Sequence, residues 1–164
     1  MAHAHHYRLR TRWTGAAEGP TTTYAAYSRA YVVEIDGKPA LAGSADPIFR
    51  GDPALHNPEE WLVAALSACH MLSYLALCAR GGIRVLAYED EATGTMQFQD
   101  GRIRFTEVTL HPRVSIDATS DPVKADLLHE RAHEECFIAN SVNFPVRHEA
   151  SVTVAISSTE ASTI

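Results

Sequence analysis

Two thiols stand out as the groups able to do chemistry. Cys69 and Cys136 are 67 residues apart (136 − 69), and each falls at an inward-facing position of a segment that reads as a helix. Both could be small core residues, since a free thiol buries readily. Alternatively, one is a nucleophilic thiolate and the other resolves its oxidised form. The attacking species must be ionised, and apolar burial opposes ionisation. Cys69 lies about three turns inside its helix, too deep to gain much from the helix dipole. A cation must therefore hold the thiolate, and the candidates are Arg50, from a loop, and Arg29, from a strand. Cys78, near the end of the helix, has no charged neighbour except Arg80 and reads as dispensable.

A rival grouping is His129, His133 and Cys136, which share one helix face at i, i+4 and i+7 and are all zinc-ligating types; no fourth ligand is signalled. Ser67 and Ser73 lack the sharp turn of a serine-hydrolase nucleophile. Gly81-Gly82 follows a helix instead of opening one, so it is not a phosphate loop.

The element that carries Cys69 is the organising one. Asn57 can cap, Pro58 suits the first helical position, Glu59 and Glu60 meet the positive end of the dipole, and Gly81-Gly82 stops the helix. Between these the segment is apolar on nearly every face, which predicts a buried helix. Such a face would be a liability in a monomer, so a second copy of the chain is expected to cover part of it.

Before it, residues 7–13 and 22–35 read as strands, Asp36-Gly37 as a hairpin turn, residues 39–42 as a short return strand, and residues 43–56 as a long loop delivering Arg50. After it, residues 83–98 and 103–116 read as strands joined at Asp100-Gly101, with Pro112 favouring an edge or a bulge. Ser120-Asp121-Pro122 opens a second helix to about residue 139, with Leu128, Ala132 and Cys136 on one stripe, and residues 146–156 read as a last strand. Residues 1–6 are expected to be a frayed, functionless terminus, and the tail after Ser157 is expected to be disordered. This order predicts an α+β fold, antiparallel sheet against a long buried central helix, in a single domain spanning residues 1–164 with its core about 7–156.

Composition narrows the class. With 164 residues, 46% apolar and 21% charged, the chain is large enough for one real core. A net charge of −6 argues against nucleic acid and anionic membrane as partners. No signal peptide is evident, the glutamates, serines and His70 make the long helix a soluble one, and three cysteines do not make a secreted disulfide framework. A reducing cytoplasm is the expected compartment.

The stretch Gly43-Ser44-Ala45-Asp46-Pro47-Ile48-Phe49-Arg50-Gly51-Asp52-Pro53-Ala54-Leu55-His56-Asn57-Pro58-Glu59-Glu60, followed by Ser67-Ala68-Cys69, resembles the OsmC/Ohr family of organic hydroperoxide reductases. Ala132-His133-Glu134-Glu135-Cys136 resembles the segment with that family's second cysteine. The resemblance spans roughly residues 7–156. It implies an OsmC-like fold in an intertwined homodimer, peroxidatic Cys69, resolving Cys136 and an Arg–Glu pair on the thiolate. Glu59 matches the family glutamate; Arg50 matches the OsmC-like arginine and is preferred, while Arg29 matches the Ohr-like one. His70 stands where Phe is frequent, a departure that leaves substrate preference open. The implied substrate is an organic hydroperoxide and the implied reductant an external dithiol or a lipoylated protein, with no cofactor. The alternatives are an OsmC-fold binding module with vestigial cysteines, and a thiol-dependent hydrolase using Cys69 and His70, whose side chains diverge by about 100° on a helix. Glu59 and Cys69 are ten residues apart (69 − 59), so on a straight helix they lie about 15 Å and some 80° from each other. Either the Asn-Pro-Glu segment folds back or Glu59 serves the partner's Cys69.

Overall fold

The computed structural model describes residues 4–156; the readings placed on residues 1–3 and after Ser157 lie outside them. The chain forms two compact units that part between Leu62 and Val63.

The first unit holds an antiparallel sheet ordered β1-β2-β3, with β1 Arg10–Trp13, β2 Tyr31–Glu34 and β3 Leu41–Gly43. Gly37, at φ 76°, makes the tight return between β2 and β3. The strand expected over residues 22–35 begins only at Tyr31. The Arg29 guanidinium donates to the carbonyls of Tyr24 and Tyr27 and lies over both rings, which winds residues 24–29 into a loop. After β3 comes the expected loop, with a 3-10 turn at Pro47–Phe49 capped by Asp46, whose carboxylate accepts from the Ile48 N–H.

Helix α1 runs unbroken over Pro58–Gly81. Its start is a reciprocal capping box: the Glu60 N–H donates to Asn57 Oδ1 at 2.8 Å, and Glu60 Oε2 accepts from the Asn57 N–H. The Asn-Pro-Glu segment therefore does not fold back; Pro58 and Glu59 are helical. Among the described residues, the α1 side chains that are fully buried form one stripe, Leu66, His70, Tyr74 and Cys78, at strict four-residue spacing, and Leu72 is 62% exposed.

The second unit holds two three-stranded sheets, ordered β4-β7-β9 and β5-β6-β8. The strands are β4 Val85–Asp90, β5 Thr93–Gln99, β6 Arg102–Leu110, β7 Pro112–Ile116, β8 Val146–His148 and β9 Ser151–Val154. Each run read as one strand (83–98, 103–116 and 146–156) is thus two, and all three break on one line. At that corner the His111 N–H donates to Asp90 Oδ1 at 2.7 Å, and the Glu149 N–H donates to the Leu110 carbonyl at 2.8 Å. Pro112 opens the middle strand β7, where a missing donor at the first residue is tolerated, instead of lying on an edge. β4–β7 and β5–β6 pair antiparallel, but β6–β8 and β7–β9 pair parallel, because the chain crosses over through α2 between them. Asp100 and Gly101, at φ 52° and 80°, form the two-residue turn between β5 and β6.

Helix α2 spans Pro122–Glu134, capped by Asp121, which accepts from the N–H groups of Val123 and Lys124. It ends five residues short of the expected boundary. The Asn140 side chain donates to the Glu134 carbonyl at 2.8 Å and closes the last turn, so Cys136 lies just beyond the helix.

Two core clusters result. Leu66, Val108 and Leu110 pack with Phe105, Phe144 and Val146 under one sheet; Tyr74, Cys78, Val114, Ile116, Ala125 and Ala132 pack under the other. Each fully buried Leu or Ile here is worth about 1.5–3 kcal/mol. His70 lies on the α1 stripe one turn after Leu66 and one turn before Tyr74, at the seam between the clusters.

Candidate active site

Cys69 reaches its place from the middle of α1, and Cys136 from the closed end of α2. The two are neighbours in the second unit, close enough for the Cys69 thiol to act on that of Cys136, and neither is in a disulfide. Cys69 is half-buried and Cys136 is buried. Burial pushes the Cys136 thiol up to about 11, the Ala139 N–H pulling it back and the Cys69 thiol adding to the rise. Cys136 is thus held as a protonated, inward-facing partner for a more accessible Cys69. Phe137, 79% exposed, and Leu72 flank the two cysteines in sequence. Cys78 is buried nine residues from Cys69 (78 − 69, about two and a half turns, near Arg80), and burial raises its thiol too.

The other predicted site residues belong to the first unit. Arg29 and Arg50 line one cavity of about 410 Å³ with Glu18, Ser28, Ser44 and Asp52. Arg29 and Glu59 line a second, of about 460 Å³, with Trp13, Tyr27, Tyr31 and Phe49. The two arginines differ in readiness. Arg29 is fixed, its guanidinium 3.9 Å from the Tyr27 ring centre. Arg50 is exposed and sits in the left-handed region, φ 68°, at the end of the 3-10 turn. A non-glycine residue there signals a constrained loop. Glu59 presents a shielded Oε2 with no hydrogen-bond partner among the described residues. A buried carboxylate oxygen without a donor is costly, and a guanidinium would satisfy it.

One group of residues escaped the sequence reading as a group. His70 Nε2 and His129 Nδ1 share a hydrogen bond at 3.1 Å, both rings fully buried. The His148 ring lies 5.4 Å from His70 and 6.0 Å from His129, and His133 lies 5.7 Å from His148. Tyr74 stacks on His129 at 3.9 Å. The signal was present: His129-Glu130-Arg131-Ala132-His133 has the H-E-x-x-H spacing of helical zinc sites. The geometry is different. The His70 and His129 rings are 5° from coplanar with centres 5.4 Å apart, so their nitrogens face each other head-on. Metal ligands instead converge on a point about 2.0–2.1 Å from each nitrogen. Among the described residues, no three His, Cys, Asp or Glu side chains are arranged to hold an ion, the His129, His133, Cys136 grouping included. Burial and the neighbouring imidazoles hold His70 down to about 4 and His129 to about 3, so both rings are neutral.

The chain is an α+β protein built on a long apolar helix, with two neighbouring thiols, one half-buried and one buried. Residues 51–151 match the model of the OsmC-like protein family, and the chain belongs to that family. It is similar to an OsmC-like protein of unknown function from Vibrio cholerae, with 35% identity and a TM-score of 0.82 over 90% of this chain and 100% of that one. It is 25% identical to Bacillus subtilis uncharacterized protein YmaD, over 90% of this chain and 95% of the relative. A Legionella pneumophila structure described as an organic hydroperoxide resistance protein OsmC shares the fold at 20% identity and a TM-score of 0.64, over 90% of this chain and 98% of that one.

Proposed function

We propose that the protein is a thiol-dependent peroxidase that reduces organic hydroperoxides to alcohols. The observation that carries this reading is the approach of the Cys69 and Cys136 thiols, one half-buried and one buried. The Cys69 thiolate attacks a peroxide oxygen; an S–O bond forms, the O–O bond breaks, and the alkoxide leaves and takes a proton to become the alcohol. The sulfur ends as sulfenic acid. Cys136 gives up its proton and attacks that sulfur; the S–S bond forms and hydroxide leaves as water. An external dithiol, free or lipoyl-borne, regenerates both thiols by exchange and is itself oxidised to a disulfide.

An arginine stabilises the thiolate and the charge developing on the peroxide oxygens, and Glu59 orients that arginine. Arg50 is the preferred group, because Arg29 already spends its donors on the Tyr24 and Tyr27 carbonyls. Because α1 is unbroken from Pro58, Glu59 cannot curl back toward the Cys69 of its own helix. Glu59 and its arginine therefore act on the partner's thiol in a homodimer, a reading supported by the uncovered apolar faces of α1.

The test is consumption of tert-butyl hydroperoxide with a dithiol reductant. The wild type should turn over and Cys69→Ser should not; equal rates would sink the peroxidase reading.

A further inference from the structure

Helices α1 and α2 run antiparallel, and side-chain contacts mark their register. Lys124 Nζ donates to the Gly81 carbonyl at 2.7 Å, the Tyr74 ring stacks on His129, His70 bonds His129, and Cys69 neighbours Cys136. Going down α1 is going up α2. The His70–His129 bond is the polar contact between the two helices that lies nearest Cys69 in sequence, one residue along α1.

That bond has an odd balance sheet. One ring donates and the other accepts, so in either tautomer one buried N–H and one buried lone pair remain, His70 Nδ1 and His129 Nε2, both without a partner among the described residues. Two leucines of similar bulk would leave nothing unpaired, and buried polar groups of this kind are commonly worth less than the apolar side chains they displace. What leucines lack is direction: apolar contact tolerates sliding, whereas a head-on bond between two rigid rings in a dry seam does not. Direction matters nearby, because a disulfide forms only within narrow limits of separation and angle.

We propose that the His70–His129 hydrogen bond is a positioning contact that fixes the register of α1 against α2 and so sets the approach of Cys136 to Cys69. It rests on the reading of Cys69 and Cys136 as a pair that forms a disulfide. The groups facing it are His133 from α2, His148 from β8, Asp90 from β4 and Tyr74 from α1 itself.

The test is the equilibrium of the Cys69–Cys136 disulfide in glutathione buffers, using the full chain and mass spectrometry. His129→Leu should lower the equilibrium constant for closure about tenfold, or about 30 mV for this two-electron couple. His129→Gln, whose amide can still bond His70, should stay near the wild type, and the rate at which peroxide converts Cys69 to sulfenic acid should be unchanged in both. Should His129→Leu not fold, His70→Gln and His70→Leu are compared in the same buffers with the same expectation. Closure in the leucine variant equal to wild type overturns the proposal; so does a glutamine variant as impaired as the leucine one. Ligand-field bands with Co²⁺ that vanish in His129→Gln would mean the rings grip an ion and would also overturn it. If wild-type Cys69 ignores peroxide while the glutathione equilibria shift as expected, the peroxidase reading falls and the positioning contact stands.

Discussion

Acidifying the protein from about pH 7 to about pH 5 should weaken its fold by roughly 4 kcal/mol, through two side chains. His70 and His129 have an ordinary value of 6.5, and the folded chain holds them at about 4 and about 3. The main cause in both is burial; neighbouring imidazoles add to it, and Asp90 opposes it at His70. At pH 5 the unfolded chain carries both rings protonated while the folded chain leaves both mostly neutral, so unfolding takes up nearly two protons. Integrated over that interval, this is about 2 kcal/mol per ring, and the pair sum is an upper figure because the rings share one bond and one field. The sign is fixed: with folded values below the unfolded value, nothing is lost above 6.5, the loss begins as pH falls through it, and it levels off beneath about 3. Denaturant midpoints at fixed protein concentration, taken across this range, measure it. The double variant His70→Leu/His129→Leu should show a much flatter acid limb. A wild type whose stability changes by less than about 1 kcal/mol over the interval, or a double variant with the wild-type slope, would refute the reasoning.

Cys136→Ser should complete one peroxide reduction and then stop at Cys69 sulfenic acid, seen by mass spectrometry after one equivalent of oxidant; a Cys69–Cys78 disulfide in the wild type would overturn the pairing. Cys78→Ala should leave peroxidase turnover near wild type, since that thiol lies about two and a half turns from Cys69 and is buried. Mixed dimers of Cys69→Ser and Glu59→Gln subunits should regain activity if Glu59 acts on the partner's thiol; verified heterodimers that stay inactive, beside active wild-type/double-mutant heterodimers, place the site within one chain. Asn57→Ala, which removes one arm of the α1 capping box, should lower stability by about 0.5–2 kcal/mol in a denaturant titration.

Local signals were legible where local physics decides. The caps of α1, the Asp36-Gly37 and Asp100-Gly101 turns and the Asp121 cap of α2 depend on residues within a turn of each other. The strands were misread where a distant contact decides: the breaks after Asp90, at His111 and after His148 come from bonds between Asp90, His111, Leu110 and Glu149, which no single segment contains. The parallel pairing of β8 and β9 was invisible for the same reason, since their lengths and alternation suit either direction. Residues 22–30 have strand-like composition, and a single arginine reaching back to two carbonyls overrides it. At the site, the cysteines stood out by type and spacing. The pairing of His70 with His129 did not, because partnership between residues 59 positions apart (129 − 70) leaves no periodic trace.

The corner in the second unit also divides the problem of strand registration. In an uninterrupted sheet, a one-residue slip anywhere turns every later side chain to the wrong face. Here each hairpin leg changes sheets at Asp90, His111 or Glu149, and the alternation restarts on the far side, so β5–β6–β8 and β4–β7–β9 are in effect two short zippers with a shared hem. The β4–β7 shift between Val85 and Ala87 and the β5–β6 shift between Thr95 and Met96 are each confined to one zipper. An error of alignment on one side has nowhere to propagate, and the chain never has to get nine strand residues in a row right more than once, in β6 alone.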